Sequence, residues 1–149
     1  AGLDRSLKLM QRFGFQVLRG EVVNVQDVIQ VAGVDDPVVS RSVEEAALLA
    51  SANQNRFTLL LKHRPEVDPA SLGLFDLQLS GHTHRGQIFP FRLFTHLVYP
   101  MQDGLYRLGR DNWLYTSRGT GTWGPPMRLF SPPELTLIEL TAAGVPAKG

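Results

Sequence analysis

The apolar positions of the chain fall into segments with either helical or strand-like spacing. In residues 3–13 apolar side chains recur every three or four positions up to Gly14, which predicts an amphipathic helix stopped by glycine. A second helix is predicted through Ala52, because Ser42 and Glu45 have the spacing of a capping box that would open it. Both predicted helices lie in the first third of the chain.

The other apolar runs are short and rich in valine, leucine and aromatic residues, as strands are. They predict two short strands or a hairpin around Gly20, strands at 28–34, 56–63 and 75–82, two strands around Gly109–Asn112, and an alternating strand at 134–141. Residues 90–104 have no clear period and are predicted to form a long loop. The pattern indicates an α/β fold with a mixed sheet, in one domain over residues 1–149 with a frayed tail at 141–149.

The composition limits the classes of function. The chain has 149 residues, of which 43% are hydrophobic and 19% charged, as in ordinary globular proteins. Its formal net charge of +1 gives no electrostatic reason to expect a nucleic-acid partner, which argues against a DNA nuclease. There is no cysteine, so any metal ion must be held by His, Asp, Glu or Asn.

Histidines follow two of the predicted strands. His63 ends one apolar run, and His82 and His84 end another within the sequence Gly-His-Thr-His. The carboxyl ends of neighbouring parallel strands meet at one edge of a sheet, so these three imidazoles are candidate ligands of a metal site. The spacing alone leaves a second interpretation open, in which they are polar loop histidines that bind no metal.

Three stretches share a more specific pattern. They read LLKHRPE, LQLSGHTHRGQI and LYTSRGTGTWGPPMRLFSPPELTLIEL. Together with GFQVLRGE and VAGVDD they resemble the C-terminal half of calcineurin-like metallophosphoesterases, in a bacterial branch of predicted phosphohydrolases whose members typically read LSGHTHGGQI and SRGLGTSG. The resemblance covers residues 15–141 and implies part of a β-sandwich flanked by helices, with a metal site at the strand ends.

The resemblance implies hydrolysis of phosphate esters at a pair of divalent cations, which would be Mn, Fe, Zn or similar. In the family the two cations lie about 3.5–4 Å apart, clamp one phosphate and activate a bridging hydroxide. It further implies that His63 and His82 ligate one cation and that His84 ligates the other. No residue of this chain is assigned a catalytic role beyond metal binding.

The remaining ligands of the family come from motifs that this sequence lacks. Neither D-x-H, nor G-D, nor G-N-H occurs in it. The first residue is Ala1, so the chain is expected to begin inside a longer reading frame, a few residues after G-N-H. Three neutral imidazoles cannot offset the repulsion between two dications. We therefore expect the chain alone to be inactive and to bind at most one divalent cation weakly.

Two arginines are predicted to contact the substrate. Arg85 stands where the branch has glycine. Either that position needs a positive φ, at a cost on the order of 1 kcal/mol or more, or the side chain forms a charge-assisted hydrogen bond with a phosphate. Arg118 either supports the loop SRGTGT or contacts the anion. Trp113 and Trp123 could line a substrate cleft but are expected to pack in the core, and His96 is expected to be a packing or solvent histidine.

Two classes of function remain open at this point. The first is a metallophosphoesterase acting on a phosphate-ester small molecule or a lipid-linked substrate, with the apolar residues of 90–104 as a lip for that substrate, for a membrane surface, or as a cover for the core. The second is a non-catalytic interaction module that keeps the fold. Exposed strand edges also predict that the isolated chain forms a homodimer. The sequence leaves the cellular location open, between the cytoplasm and a membrane.

Overall fold

Six strands form one mixed sheet in the part of the chain that the computed structural model describes, residues 2–39 and 43–142. The strands are β1 (Glu21–Val25), β2 (Ile29–Gly33), β3 (Phe57–Leu61), β4 (Leu77–Ser80), β5 (Gly104–Arg107) and β6 (Trp113–Thr116). Their order is β1-β2-β3-β4-β6-β5. The four central strands are parallel, and β1 and β5 are antiparallel at the two edges. The predicted α/β class with a mixed sheet is confirmed.

The first hairpin lies one strand later than the sequence suggests. The predicted strand before Gly20 is absent, because residues 15–19 have no partner strand and Gly20 is a turn residue at φ +72°. The hairpin instead joins β1 to β2 through Gln26 and Asp27, both with positive φ, as a tight two-residue turn requires. The Gln-Asp pair is an uncommon choice for such a turn, and it hid the hairpin from the sequence pattern.

Three helices flank the sheet: α1 (Gly2–Arg12), α2 (Glu45–Ala50) and α3 (Phe91–Val98). α1 matches the predicted helix, and Gly14 after it takes a left-handed φ of +78°. α2 confirms the second predicted helix in a shorter form, and the capping box predicted at Ser42 lies outside the described residues. α3 corrects the prediction of a long loop at 90–104. No helix within the described ranges has the length and apolar content needed to cross a membrane.

The core lies where α2 packs on one face of the sheet. Leu49 of α2 is fully buried against Ala32 of β2 and Leu60 of β3, and Phe75 completes the cluster just before β4. Gln30 is also buried there, and its amide closes two hydrogen bonds with the backbone of Asn53, at 2.8 and 2.9 Å, so that it carries no unsatisfied polar atom into the core. The cluster fixes β2, β3 and β4 side by side and so fixes the strand ends that carry the histidines.

The strand predicted at 134–141 does not form among the described residues. The segment alternates apolar and polar side chains, but no neighbouring strand pairs with it there, and Leu135 and Leu137 are each 94% exposed. An alternating pattern makes a strand only when a partner satisfies its backbone N–H and C=O groups. Of the tail predicted to fray, residues 143–149 lie outside the described part of the chain.

Candidate metal and phosphate site

The carboxyl ends of the parallel strands bring His63 and His82 to one edge of the sheet. His63 lies two residues after β3, and His82 lies two residues after β4. The Gly81 N–H donates to the His63 carbonyl at 3.0 Å, which continues the ladder between the two strands past their formal ends. Similarly, the Ser117 N–H after β6 donates to the Ser80 carbonyl at 2.8 Å. The same edge therefore also carries Arg118.

The imidazoles of His63 and His82 face each other. His82 Nδ1 lies 2.9 Å from His63 Nε2, and the ring centroids are 4.7 Å apart in an edge-to-face arrangement. Burial lowers the pKa of His82, and the charges of His63 and Arg64 lower it further. A lowered pKa keeps this imidazole neutral at pH 7, which is the form that ligates a metal.

The two nitrogens are as close as a hydrogen-bonded pair. Nitrogen ligands of tetrahedral zinc lie about 2.0–2.1 Å from the ion, so two of them are roughly 3.3 Å apart. The observed 2.9 Å between Nδ1 and Nε2 is shorter, so the rings would separate by a few tenths of an ångström to share one ion. Within residues 2–39 and 43–142, however, no group of three or more His, Asp or Glu side chains is arranged to hold an ion. Any ion held by the two imidazoles would therefore need further ligands, such as carboxylates, from other residues.

The nearest carboxylates on this edge are already paired. Asp36 follows β2 and accepts from Arg64 Nε at 2.9 Å. Burial raises the pKa of the Asp36 carboxyl, but the hydrogen bonds from Arg64 and from the Val38 N–H outweigh it, and the net shift is downward. Asp35 is bound by the Arg19 guanidinium through contacts of 2.7–3.1 Å. Both carboxylates therefore already have cationic partners.

His84 lines the same cavity as the other two imidazoles, but its Nδ1 lies 3.2 Å from Arg128 Nη2. A guanidinium only donates, so Nδ1 must accept and cannot carry a proton in this arrangement. Burial lowers the pKa of His84, and the charge of Arg128 lowers it further. His84 is therefore a neutral imidazole whose Nδ1 lone pair is directed at an arginine.

Arg128 also organises the loop that follows β6. Its Nη2 donates to the carbonyls of Arg118 at 3.0 Å and Gly119 at 3.1 Å, and also to that of Gly121. Its Nη1 donates to the Ser131 carbonyl at 3.2 Å. One guanidinium thus connects the glycine-rich loop to the turn of His84. Arg128 was not among the predicted site residues, although it stands in one of the three stretches that carry the family resemblance.

The turn that carries His84 is held in an uncommon backbone conformation. His84, Arg85, Gly86 and Gln87 all have positive φ, between +47° and +72°. For residues other than glycine this region costs about 1–2 kcal/mol each, and such strain is concentrated at functional sites. Of the two alternatives for Arg85, the positive φ is the one observed, at +53°. Its side chain lies against Asp103, with Nε 3.0 Å from Oδ2.

Arg118 forms an ion pair with Glu134, to which Tyr115 and Thr136 also donate hydrogen bonds. Burial raises the pKa of the Glu134 carboxyl, but the three hydrogen bonds and the charge of Arg118 together lower it to about 2. This cluster attaches the extended segment at residue 134 to β6. Arg118 therefore supports the loop in this structure, while its predicted contact with an anion stays a prediction.

Glu134→Gln is expected to lower stability at neutral pH by on the order of 1–3 kcal/mol, because it removes the charge from these hydrogen bonds. The folded-state pKa of about 2 lies below the usual 4.5, so the carboxylate stabilises the fold above pH 4.5, and this contribution is lost as the pH falls toward 2. Urea unfolding from pH 7 to pH 2 measures it. The exposed Glu139→Gln on the same segment is the control, and equal pH profiles for the two variants would contradict the assignment.

The aromatic side chains do not all lie where they were predicted to lie. Trp123 is 80% exposed and lines the cavity beside the three imidazoles, so the expectation that it packs in the core is wrong. Trp113 is 38% exposed on β6, with the Arg107 guanidinium 5.8 Å from its ring centroid. His96 is exposed on α3, in agreement with a solvent histidine. Tyr99, at the end of α3, contacts the His82 ring with centroids 5.4 Å apart, a contact that the loop prediction had missed.

Comparison with known proteins finds relatives over most of the chain. A protein of Aquifex aeolicus named uncharacterized metallophosphoesterase is 36% identical over 150 residues, which cover 96% of this chain and 57% of that protein. An uncharacterized metallophosphoesterase of Campylobacter jejuni is 37% identical over 119 residues, covering 79% of this chain and 31% of the relative. A cattle protein named transmembrane protein with metallophosphoesterase domain is 36% identical over 126 residues, covering 78% and 28%.

The chain thus spans between about a quarter and just over half of the length of these relatives. No family model matches the chain, and no solved structure matches it. The relatives share the word metallophosphoesterase across bacteria and animals.

Proposed function

Because this chain belongs to the calcineurin-like metallophosphoesterase family and corresponds to its C-terminal region, we propose that it contributes one part of a two-cation active site that hydrolyses phosphate esters. The family name implies hydrolysis of phosphate esters with the help of divalent metal ions. The observation that carries the proposal for this chain is the convergence of His63 and His82 at the ends of two neighbouring parallel strands, with their ring nitrogens 2.9 Å apart.

In this proposal His63 and His82 hold one cation and His84 holds the other. Two bound cations supply Lewis-acid stabilisation of the phosphate charge and lower the pKa of a water molecule. The pKa values of His82 and His84 are lowered, so both imidazoles stay neutral and each has a nitrogen lone pair that can bind a cation. For His84, binding a cation through Nδ1 would require that the hydrogen bond from Arg128 is given up.

Arg85 and Arg118 are proposed to contact the substrate phosphate. Each uses Nε toward a carboxylate, on Asp103 and Glu134 respectively. A guanidinium has five N–H donors, so the terminal nitrogens can still form charge-assisted hydrogen bonds with an anion. The substrate is proposed to be a phosphate-ester small molecule or a lipid-linked phosphate, and manganese, iron and zinc are the candidate metals. Membrane association of a longer form is proposed by analogy with the cattle relative's name.

A manganese-dependent assay with bis(4-nitrophenyl) phosphate tests the proposed function. The chain alone is expected to show no metal-dependent turnover, because its imidazoles lack the carboxylates that would hold two dications together. A longer form that also carries D-x-H, G-D and G-N-H motifs is expected to hydrolyse the ester. An inactive longer form with all three motifs present would instead favour the non-catalytic interaction module. Substantial turnover by the chain alone would contradict the proposal that this chain carries only one part of the active site.

Self-association of the isolated chain is a further expectation. Leu135 and Leu137 are each 94% exposed on an extended segment without a partner strand among the described residues, and such segments pair with other chains. Sedimentation velocity is expected to show a dimer at micromolar concentration. Replacing both leucines by serine is expected to weaken the dimer at least tenfold, while Leu97→Ser on the exposed face of α3 is the control. A monomer at all concentrations would contradict this prediction.

A further inference from the structure

A cavity of about 860 Å³ extends from the candidate metal site along α3. One end is lined by His63, His82 and His84, and the other by the apolar side chains of α3 and by Trp123. Ligand sites of this size with mostly apolar walls and a few polar groups are typical of small-molecule binding. Because the imidazoles and the apolar wall belong to one continuous cavity, a molecule with a long apolar part that is bound at the imidazoles can also lie against that wall.

The large apolar side chains of the wall are exposed to solvent, which is unfavourable unless a bound molecule covers them. Phe91, Phe94 and Val98 lie on one face of α3 at helical spacing, and they are 59%, 61% and 69% exposed. Trp123 lies across the cavity and is 80% exposed. Contiguous apolar surface of this kind marks a binding site in a folded protein. The turn of residue 86 packs directly against the start of α3, so the wall is fixed in position relative to the imidazoles.

Apart from the imidazoles and the Tyr99 hydroxyl, the polar side chains that line the cavity have hydrogen-bond partners within the described part of the chain. The Gln87 amide binds the backbone of Trp123 and Pro125, at 2.6–3.1 Å. The Thr95 hydroxyl donates to the Phe91 carbonyl at 3.0 Å, and the Thr83 hydroxyl donates to the Gln102 carbonyl at 2.6 Å. No Lys, Arg, Asp or Glu from the described ranges lines the cavity.

A sugar or a nucleobase would therefore lose hydrogen bonds to water in this part of the cavity and gain few in exchange, chiefly from the Tyr99 hydroxyl. An alkyl or prenyl chain loses none. We propose that the site takes an amphiphilic phosphate monoester or diester, with the phosphate at the imidazoles and a long apolar chain lying between α3 and Trp123. This inference rests on the proposed function for the position of the phosphate, and it adds the class of substrate.

Tryptophan fluorescence gives a direct test. In a Trp113→Phe background Trp123 is the sole tryptophan, and it lies in the cavity wall. Below its critical micelle concentration, dodecyl phosphate is expected to shift the Trp123 emission to shorter wavelength, whereas inorganic phosphate is not. Each fully buried methylene tightens binding about fourfold. We therefore expect dodecyl phosphate to bind at least a hundredfold more tightly than butyl phosphate.

A matched pair of α3 variants assigns the binding to the cavity. Phe94 lines it and Leu97 does not, although both are exposed, so neither serine variant disturbs the core. Phe94→Ser is expected to weaken dodecyl phosphate binding tenfold or more, and Leu97→Ser to leave it unchanged. Equal effects of the two variants would overturn the proposal, as would equal affinity for butyl and dodecyl phosphate.

Three further outcomes distinguish this inference from membrane binding and from the proposed function. If phosphatidylcholine vesicles bind the protein and dodecyl phosphate monomers do not, the apolar wall is a membrane contact and the proposal is overturned. Chain-length-dependent binding measured without metal would support the ligand site even if no form of the protein hydrolyses an ester. Hydrolysis by a longer form without any preference for long chains would support the proposed function and overturn this inference.

Discussion

His82→Asn is expected to lower the affinity of the chain for a single Mn²⁺ or Zn²⁺ ion by about 10–100-fold or more. The imidazoles of His63 and His82 are the two nitrogens close enough to share one ion, with 2.9 Å between them. Changes to residues that only support a metal ligand already cost about 10–100-fold in affinity, so losing a ligand itself should cost no less. Isothermal titration calorimetry on the isolated chain measures this affinity directly.

The choice of asparagine keeps the backbone intact. His82 has a φ of +69°, a region that asparagine tolerates better than most residues. His63→Ala is expected to produce a loss of similar size, because either change leaves one imidazole. His96→Ala on the exposed side of α3 is the control and should leave the affinity unchanged. If His82→Asn and His96→Ala bind the ion equally well, the pair of imidazoles does not form the metal site.

Gly86→Ala is expected to destabilise the fold by about 2–5 kcal/mol, the sum of a left-handed backbone cost and a steric overlap. Gly86 has a φ of +72°, and a Cβ there would lie only 2.5 Å from the backbone N of Arg92. Backbone at the start of α3 cannot move aside as a side chain could. The helix and the turn of His84 must therefore separate, so the variant should also lose the binding of metal and of apolar phosphates.

Gly73→Ala is the matched control for this prediction. Gly73 has a φ of +86° but nothing within 4 Å of its missing side chain, so alanine there carries only the backbone cost of about 1–2 kcal/mol. Thermal unfolding followed by circular dichroism compares the two, at about 2–4 °C per kcal/mol for a domain of this size. Equal melting temperatures would show that the close approach of residue 86 to α3 does not affect the stability of the variant.

The fold was predicted best where the pattern of a segment fits only one type of secondary structure. β3 and β4 are short apolar runs ending in polar residues, and both formed as parallel neighbours. α3 was missed because a proline stands on either side of it and its eight residues are too few for a helical period to stand out in the sequence. The strand predicted at 134–141 failed for the opposite reason. Its alternation is clear, but pairing depends on a partner that local sequence does not contain.

The candidate site was predictable to the extent that it depends on strand ends. His63, His82 and His84 were placed together because parallel strands deliver their carboxyl ends to one edge, and all three line one cavity. The partner of His84 could not be read from the sequence, because Arg128 lies 44 positions away and reaches it through a loop without regular structure. The partners of Arg85 and Arg118 are likewise set by tertiary packing.

The distance between the two facing imidazoles is determined by the ladder of the sheet and not by the connection between the strands. The Gly81 N–H and the His63 carbonyl continue the β3–β4 pairing, whose spacing is about 4.8 Å in any sheet. The connection from residue 64 to residue 76 can therefore be lengthened at Gly73, on the surface, without altering the distance between the two ring nitrogens. That position offers an attachment point for a reporter group or an inserted domain whose presence leaves the imidazole pair unchanged.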